Sequence, residues 1–452
     1  MNLRNLLPTL ALLLIAIPAA AAPVIDADAA TKIDAAVQAA IADRRTPSCC
    51  VVIGTADRVL FAKAYGRCTY DPASPPVTLD TMYDMASCSK PVATASALAL
   101  LLQDGRISLE DPVSKYLPSW NRDDKRAITI RNLVTHTSGL PSYTSASRAE
   151  SGRKPGETTA DALINCIASL PLQYKTGEGH LYSCLNFLTL ARVNEEVAGV
   201  NQETLLRKRI WGPLGMKDTG YYLSESQKGL CAPTTPALQG DVHDPLANYY
   251  RDGYHCPGNA GLFTTANDLT KFCRMILSNG RYDHWRYFRQ CRIFSPRIVD
   301  MFFTNEAPTD PKYTWGLGWG ISSSQPHAYA AQPSPQAVSS AQAWSILSSS
   351  KDEGRSARIE ASTPLVLSRV LSPSKDAKRI EERSIAAKTA RISHTGYTGT
   401  AIEFDRRAGT FMIMLTNRVY PDDKASLGRL RSAIRKVMTD SDPANQLAPP
   451  GP

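Results

Sequence analysis

The chain has 452 residues, 43% hydrophobic and 21% charged, with a formal net charge of +9. That size and balance give a globular protein with a sizeable core and more than one lobe, and exclude a disordered or fibrous chain. The basic residues form no blocks interleaved with aromatics, so nucleic acid is not an expected partner and solubility is the simplest use of the charge.

Residues 1–22 place Arg4, an apolar run from Leu10 to Ile17 and small residues from Ala19 to Ala22 ahead of Pro23, the pattern of a secretory signal peptide. The run is shorter than the roughly 20 apolar residues a spanning helix needs. No Cys follows it for lipid attachment, so no stable membrane anchor is expected after cleavage. The expected location is periplasmic or secreted, where the ten cysteines could pair, although their number in so long a chain imposes no disulfide framework.

Two apolar runs, Cys50 to Ile53 and Val59 to Tyr65, flank a turn at Thr55 to Asp57 and predict a β-hairpin. A second hairpin is predicted near the other end, with strands Thr400 to Phe404 and Phe411 to Thr416, and the two can share one sheet. Between them the period changes. Leu185, Leu188, Val193 and Val197 predict a helix ended by Gly199, and Leu269, Phe272 and Ile276 predict another, opened by a Thr265/Asp268 capping box and stopped by Gly280. The expected organisation is a discontinuous sheet domain, 28–115 and 391–440, and a mainly helical domain with site loops, 116–320. Residues 321–390, rich in Ser, Ala, Pro and Gln, are expected to form a disordered insertion.

Ser87 and Lys90 stand three apart at the start of a helix-like stretch ending at Gly105, so their side chains share a face. A serine hydroxyl needs a neighbour to hold its proton while it attacks a carbonyl, and a desolvated lysine can serve. The pair is too common to decide anything alone. Two further features give it weight: Tyr182, just before a predicted helix, and His394-Thr395-Gly396, leading into the C-terminal strands.

With Ser-x-x-Lys at 87–90, Tyr182-Ser183-Cys184 and His394-Thr395-Gly396 in that order, the chain resembles the serine β-lactamase and penicillin-binding-protein superfamily. The resemblance extends to ITIRNLVTHTSGLP, WGPLGMKDTGY, NAGLFTTANDL, WGLGWG and HTGYTGT, and is strongest for the low-molecular-weight penicillin-binding-protein, esterase and class C-like branch. It implies an α/β (α+β) fold of β-lactamase/transpeptidase type, an antiparallel sheet flanked by helices with an inserted all-helical domain. It also implies an acyl-enzyme on Ser87, with Lys90 and Tyr182 moving its proton. His394 and Thr395 would line the opposing strand. The N–H groups of Ser87 and Tyr397 would form an oxyanion hole, each donor contributing about 2.7–4 kcal/mol, and Gly396 would let the strand approach closely.

Two positions depart from that pattern. Cys184 stands where the family has an Asn, and a thiol is a weaker hydrogen-bond partner for a substrate amide; Asn186 lies two residues on. His394 replaces the usual Lys and makes any positive charge there pH-dependent. Cys184 favours an ester or peptide-like substrate over a β-lactam, and His394 makes a carboxylate-terminated substrate less expected. Cys88 and Cys184, each inside a motif, are expected to be buried free thiols.

Plainer roles are expected elsewhere. His243-Asp244 and His255-Cys256 are read as loop residues rather than metal ligands, and neither metal nor cofactor is expected. His136 is expected to fix a turn, Trp315 and Trp319 to pack under the sheet, and Arg418, after Asn417, to form a salt bridge. The expected partner is a small or peptide-like substrate, cell-wall material being one source. A non-catalytic binder of cell-wall peptides or of a protein partner is the competing reading.

Overall fold

The computed structural model describes residues 25–284, 289–307, 314–322, 388 and 390–440. The expected signal peptide lies outside the described residues, as does the expected insertion 321–390 apart from 321, 322, 388 and 390.

Strands β1 (Ser48–Thr55) and β2 (Val59–Gly66) form the first predicted hairpin. Two short pairs follow, β3 (Tyr83–Asp84) with β4 (Phe263–Thr264) and β5 (Arg281–His284) with β6 (Arg289–Arg292). Strands β7 (Gly320–Ser322), β8 (Arg391–Thr395), β9 (Ala401–Asp405) and β10 (Thr410–Thr416) complete a six-stranded antiparallel sheet of order β2-β1-β10-β9-β8-β7. The two predicted hairpins therefore meet in one sheet, with Cys49 opposite Thr416 and Thr55 opposite Thr410. The α+β architecture is the one the sequence implied.

Alternation along the strands decides which side each residue faces. Cys49, Val51 and Ile53 of β1 and Met412 and Met414 of β10 pack against helices Ala27–Ala42 and Gly428–Asp440. Cys50, Val52, Phe411, Ile413 and Leu415 face the larger core beneath the helical middle of the chain. The first and last described helices thus cover one face of the sheet, leaving the other to the segment around Ser87 and the helix that follows Tyr182.

The helix from Cys184 to Ala198 ends at Gly199, which turns left-handed at φ 70°, as predicted. The helix Ala266–Leu277 starts on Thr265, whose hydroxyl accepts from the Asp268 N–H at 3.1 Å. The return half of the capping box is not made, because Asp268 instead accepts from the Asp218 N–H at 2.8 Å and the Thr219 hydroxyl at 3.1 Å.

The stretch that holds Ser87 and Lys90 is more irregular than a simple helix. Residues Ala86–Cys88 form a tight 3₁₀ turn, Lys90–Ala95 a wide π-helical segment, and only Ser96–Gln103 is α-helical. Pro91 has no N–H to offer an α-helical ladder, and π segments recur at functional sites.

Glu195 is a strained point in this core. It is 5% exposed; Oε1 accepts from the Gln202 N–H at 3.1 Å and the Cys256 N–H at 2.9 Å, while Oε2 has no partner among the described residues. Burial outweighs these bonds and pushes its pKa up to about 7. A carboxyl raised in the folded state stabilises the fold below its unfolded pKa and loses that contribution as pH rises through the folded value, a swing of about 3 kcal/mol at most. Glu195→Gln is therefore expected to gain melting temperature relative to the parent between pH 5 and pH 8. Thermal melts at both pH values check this, and a constant difference would contradict it.

Candidate active site

Strands β3 and β4 lead straight into the site. Asp84, at the end of β3, is buried, and Oδ1 accepts from the Ala86 N–H at 2.7 Å while Oδ2 accepts from the His243 N–H at 2.9 Å. This holds Ala86 at φ 43°, a left-handed conformation that costs a non-glycine residue about 1–3 kcal/mol. The chain turns sharply there and leaves Ser87 partly exposed between buried neighbours. Burial raises the Asp84 pKa to about 6, against the two N–H bonds that lower it.

Lys90 is fully buried beneath Ser87. Its Nζ donates to Ser87 Oγ at 3.0 Å, to the Asn259 carbonyl oxygen at 2.9 Å and to Cys184 Sγ at 3.5 Å, and it lies 4.9 Å from the centroid of the Tyr182 ring. Burial opposes the charge, but Cys184 and Tyr182, once they ionise at high pH, and Asp244 outweigh it and hold the lysine pKa above its ordinary value. Desolvation has therefore not made Lys90 a neutral base in the resting site, contrary to expectation. Tyr182 and Cys184 are both pushed upward by burial, with Lys90 pulling the other way, and the phenol hydrogen-bonds with Lys90 and Ser87. All three groups are protonated near neutrality.

The opposing wall is the loop after β8. Thr398 Oγ1 donates to the Asp84 carbonyl at 2.8 Å and Thr400 Oγ1 to the Met85 carbonyl at 3.1 Å, clamping residues 396–400 against the turn that carries Ser87. A Cβ on Gly396 would lie 2.1 Å from Thr400 Oγ1 and 2.6 Å from the Met85 oxygen, so only glycine permits this approach. Tyr397 is 41% exposed, and its N–H has no hydrogen-bond partner among the described residues. Its ring is stacked on His243 and lies under the Arg418 guanidinium, 4.9 Å from the ring centroid.

His394 stands 6.0 Å from Tyr182, centroid to centroid. Its Nδ1 lies 3.0 Å from the Thr395 carbonyl, which can only accept, so Nδ1 carries the hydrogen and Nε2 is a bare acceptor without a partner among the described residues. Burial, reinforced by the Lys90 charge, lowers its pKa to about 3. The expected pH-dependent cation is therefore absent across the physiological range.

The sequence model of the Beta-lactamase family matches residues 33–435. This chain belongs to that family. A Bacillus subtilis (strain 168) protein named N-acetylmuramyl-L-alanine amidase is 31% identical over 266 residues, 53% of this chain and 57% of the relative; the chain thus spans little more than half of that protein's length. The solved structure of EstCE1, a hydrolase with promiscuous acyltransferase activity, aligns at TM-score 0.61 over 91% of this chain and 98% of its own, with 19% identity. A beta-lactamase/D-alanine carboxypeptidase from Pseudomonas syringae aligns at TM-score 0.60, 17% identity, over 94% of this chain and all of its own. Identities that low carry the fold alone.

Against the family's motifs, the structure brings Ser87, Lys90, Tyr182 and Cys184 into one cluster and sets Tyr182 beside His394. Thr395 and Gly396 lead from β8 into the clamped loop that presents Tyr397. Asn186 does not take over from the missing family asparagine. It is buried facing away, accepting from Ser138 Oγ at 2.6 Å and donating to His136 Nδ1 at 3.1 Å. His136 fixes its turn as expected, since Nδ1 also accepts from the Ser183 N–H at 3.1 Å. Its ring adds a packing role, 4.5 Å from Tyr182 and 4.8 Å from Trp315.

Trp315 and Trp319 divide. Trp319 packs on Phe404 of the sheet as expected, but Trp315 stands against His136, His180, Tyr182 and His394, so WGLGWG contributes one wall of the site. Arg418 pairs with Asp423 at 2.5 Å as expected. His255 is partnered by Asp252 at 2.7 Å, whereas His243 Nδ1 has no partner among the described residues. All ten cysteines are free thiols; Cys88 is buried as expected, its Sγ 3.5 Å from the His394 carbonyl, but Cys184 is only partly so, at the cleft. Among the described residues no group of three metal-ligating side chains is assembled.

Sequence reasoning missed Asp84, Asn259 and Asp244. Asn259 lies in NAGLFTTANDL, a segment marked by its family resemblance, but it serves Lys90 through its backbone, which no residue type reveals. Gly258 before it allows the approach, since a Cβ there would lie 1.8 Å from the Phe187 oxygen.

The tautomer and charge of His394 can be read by NMR. Its imidazole is expected to stay neutral, with the hydrogen on Nδ1, from pH 5 to pH 8; a titration midpoint in that window would contradict the geometry.

Proposed function

We propose that this protein is an exported serine hydrolase that cleaves an ester or amide bond through an acyl-enzyme on Ser87. The observation that carries the reading is the Lys90 Nζ bonded to Ser87 Oγ at 3.0 Å, inside a buried cluster that also holds Tyr182. Family membership and the name of a similar protein, an amidase, support it.

The steps follow from the proton inventory. Lys90 and Tyr182 share too many protons at rest, so one must leave the pair before it can accept the Ser87 proton. Ser87 Oγ then attacks the substrate carbonyl, and the charge that develops on the oxygen is met by the N–H groups of Ser87 and Tyr397. The proton held by the pair passes to the leaving group as the scissile bond breaks. A water molecule, giving its proton to the same pair, then attacks the ester on Ser87, and the pair returns that proton to Ser87 Oγ as the ester bond breaks and the acid is released.

The substrate class follows from position 184. A thiol that already accepts from Lys90 offers a poor partner for an acyl-side amide. The favoured substrates are thus esters, or peptide-like cell-wall fragments held by other contacts, ahead of β-lactams.

Turnover of a chromogenic short-chain ester and labelling by a fluorescent penicillin test this. Ser87→Ala is expected to abolish both, and Tyr182→Phe to lower kcat/KM about 10²–10⁴-fold. Because the pKa values of Lys90, Tyr182 and Cys184 all lie above their ordinary values, the parent rate is expected to rise from pH 6 to pH 9 without levelling at neutrality. Cys184→Asn is expected to improve penicillin labelling relative to ester turnover. No Ser87-dependent signal with either probe would favour the non-catalytic binder.

Export rests on the leader-like pattern of residues 1–22. Expression of the full chain in a bacterial host is expected to yield a periplasmic or secreted product starting near Pro23, read by N-terminal sequencing. An uncut chain in the cytosol would overturn this part.

A further inference from the structure

We propose that Asp244 is the counter-charge of Lys90, a positioning residue that keeps the lysine an ammonium in the resting site and acts through Asn259; the proposal rests on the acyl-enzyme reading above. The partners of Lys90 Nζ, namely Ser87 Oγ, Cys184 Sγ, the Asn259 carbonyl and the Tyr182 phenol, are all uncharged near neutrality. A fully buried ammonium without an anion in reach is strongly disfavoured and sheds its proton.

Asp244 lies one residue further out, on the far side of Asn259. Its Oδ1 accepts from Asn259 Nδ2 at 3.0 Å and from the Ala247 N–H at 2.7 Å, where it caps helix Pro245–Tyr250, and Oδ2 accepts from Tyr143 OH at 3.4 Å. Asn259 therefore points its amide hydrogens at the anion and its backbone oxygen at the cation, and its dipoles link the two charges. Asp244 acts on Lys90 in the stabilising sense, and the same negative field raises Cys184, Tyr143 and Asp84.

The other groups around the pair do not supply this charge. Facing Lys90 are Cys88 on its own turn, Tyr182 and Cys184 at the next helix, and His136 and His394, both held neutral by burial. Facing Asp244 are Tyr143, His243 and Asp84, and Asp84 is committed to the N–H groups of Ala86 and His243. In sequence terms, the His243-Asp244 pair carries the anion of the catalytic lysine.

The test compares the full-length protein with Asp244→Asn, which keeps the acceptor oxygen and the cap but removes the charge, and with Asn259→Ala, which keeps the carbonyl on Lys90 but cuts the link. Two readouts are taken: the Lys90 midpoint by NMR of labelled lysine in a Ser87→Ala background, assigned against Lys90→Arg, and the pH profile of ester kcat/KM. Asp244→Asn is expected to lower both midpoints by on the order of one pH unit, so that relative activity at pH 6 rises even as the plateau falls. Asn259→Ala should move them in the same direction by less. A purely structural role would lower the plateau or melting temperature and leave the midpoints in place, and that result, or an upward move, overturns the proposal. Ester turnover that is absent in the parent, or independent of Ser87, counts against the acyl-enzyme reading, while the NMR midpoint still decides the counter-charge; if Asp244→Asn does not fold, Asn259→Ala decides it.

Discussion

A single buried cation organises this site. Lys90 is withdrawn from water, and every element around Ser87 is placed to supply its proton acceptors: the 3₁₀ turn gives Ser87 Oγ, the helix at Cys184 gives a sulfur, and the segment before β4 gives the Asn259 carbonyl. In a low-dielectric interior these contacts are worth far more than on the surface, and losing one exposes the full desolvation penalty of the charge. The site is consequently rigid where it holds protons. It is open at Ser87 and Tyr397, where a substrate must enter.

Geometry and charge also constrain each other at the nucleophile. Asp84 holds Ala86 in a left-handed conformation while its carbonyl oxygen receives Thr398 from the opposite loop. One residue therefore couples the strain of the turn to the placement of Tyr397. Gly396 and Gly258 permit close backbone approaches, one on each side of the cluster. Cavity shape and acid–base state are fixed by the same short segments.

Much of this was legible in the sequence, and for physical reasons. Hairpins β1–β2 and β9–β10 are long enough for apolar alternation to show, and helix Cys184–Ala198 long enough for a helical period. Ser87, Lys90, Tyr182 and His394 are marked by residue type and order. Strands β3, β4 and β7, two or three residues each, are too short to carry a period, and the π-helical turn after Lys90 depends on a hydrogen-bond pattern that residue types do not encode. Asn259 and Asp84 escaped because they act through, or upon, backbone groups. The charge states of Lys90 and His394 were misjudged because both depend on neighbours distant in sequence. Trp315 and Trp319 look alike in WGLGWG, and only the fold separates them.

The pairing of β1 with β10 joins the first described strand to the last described one, and the loop that faces Ser87 lies immediately before β9. Ser87 is made early in synthesis, whereas Tyr397 and the clamp residues Thr398 and Thr400 are made late. Every shorter nascent chain lacks one wall of the cleft. The cleft around Ser87 is completed only once the loop 396–400 and strands β9 and β10 have been made and β10 has paired with β1.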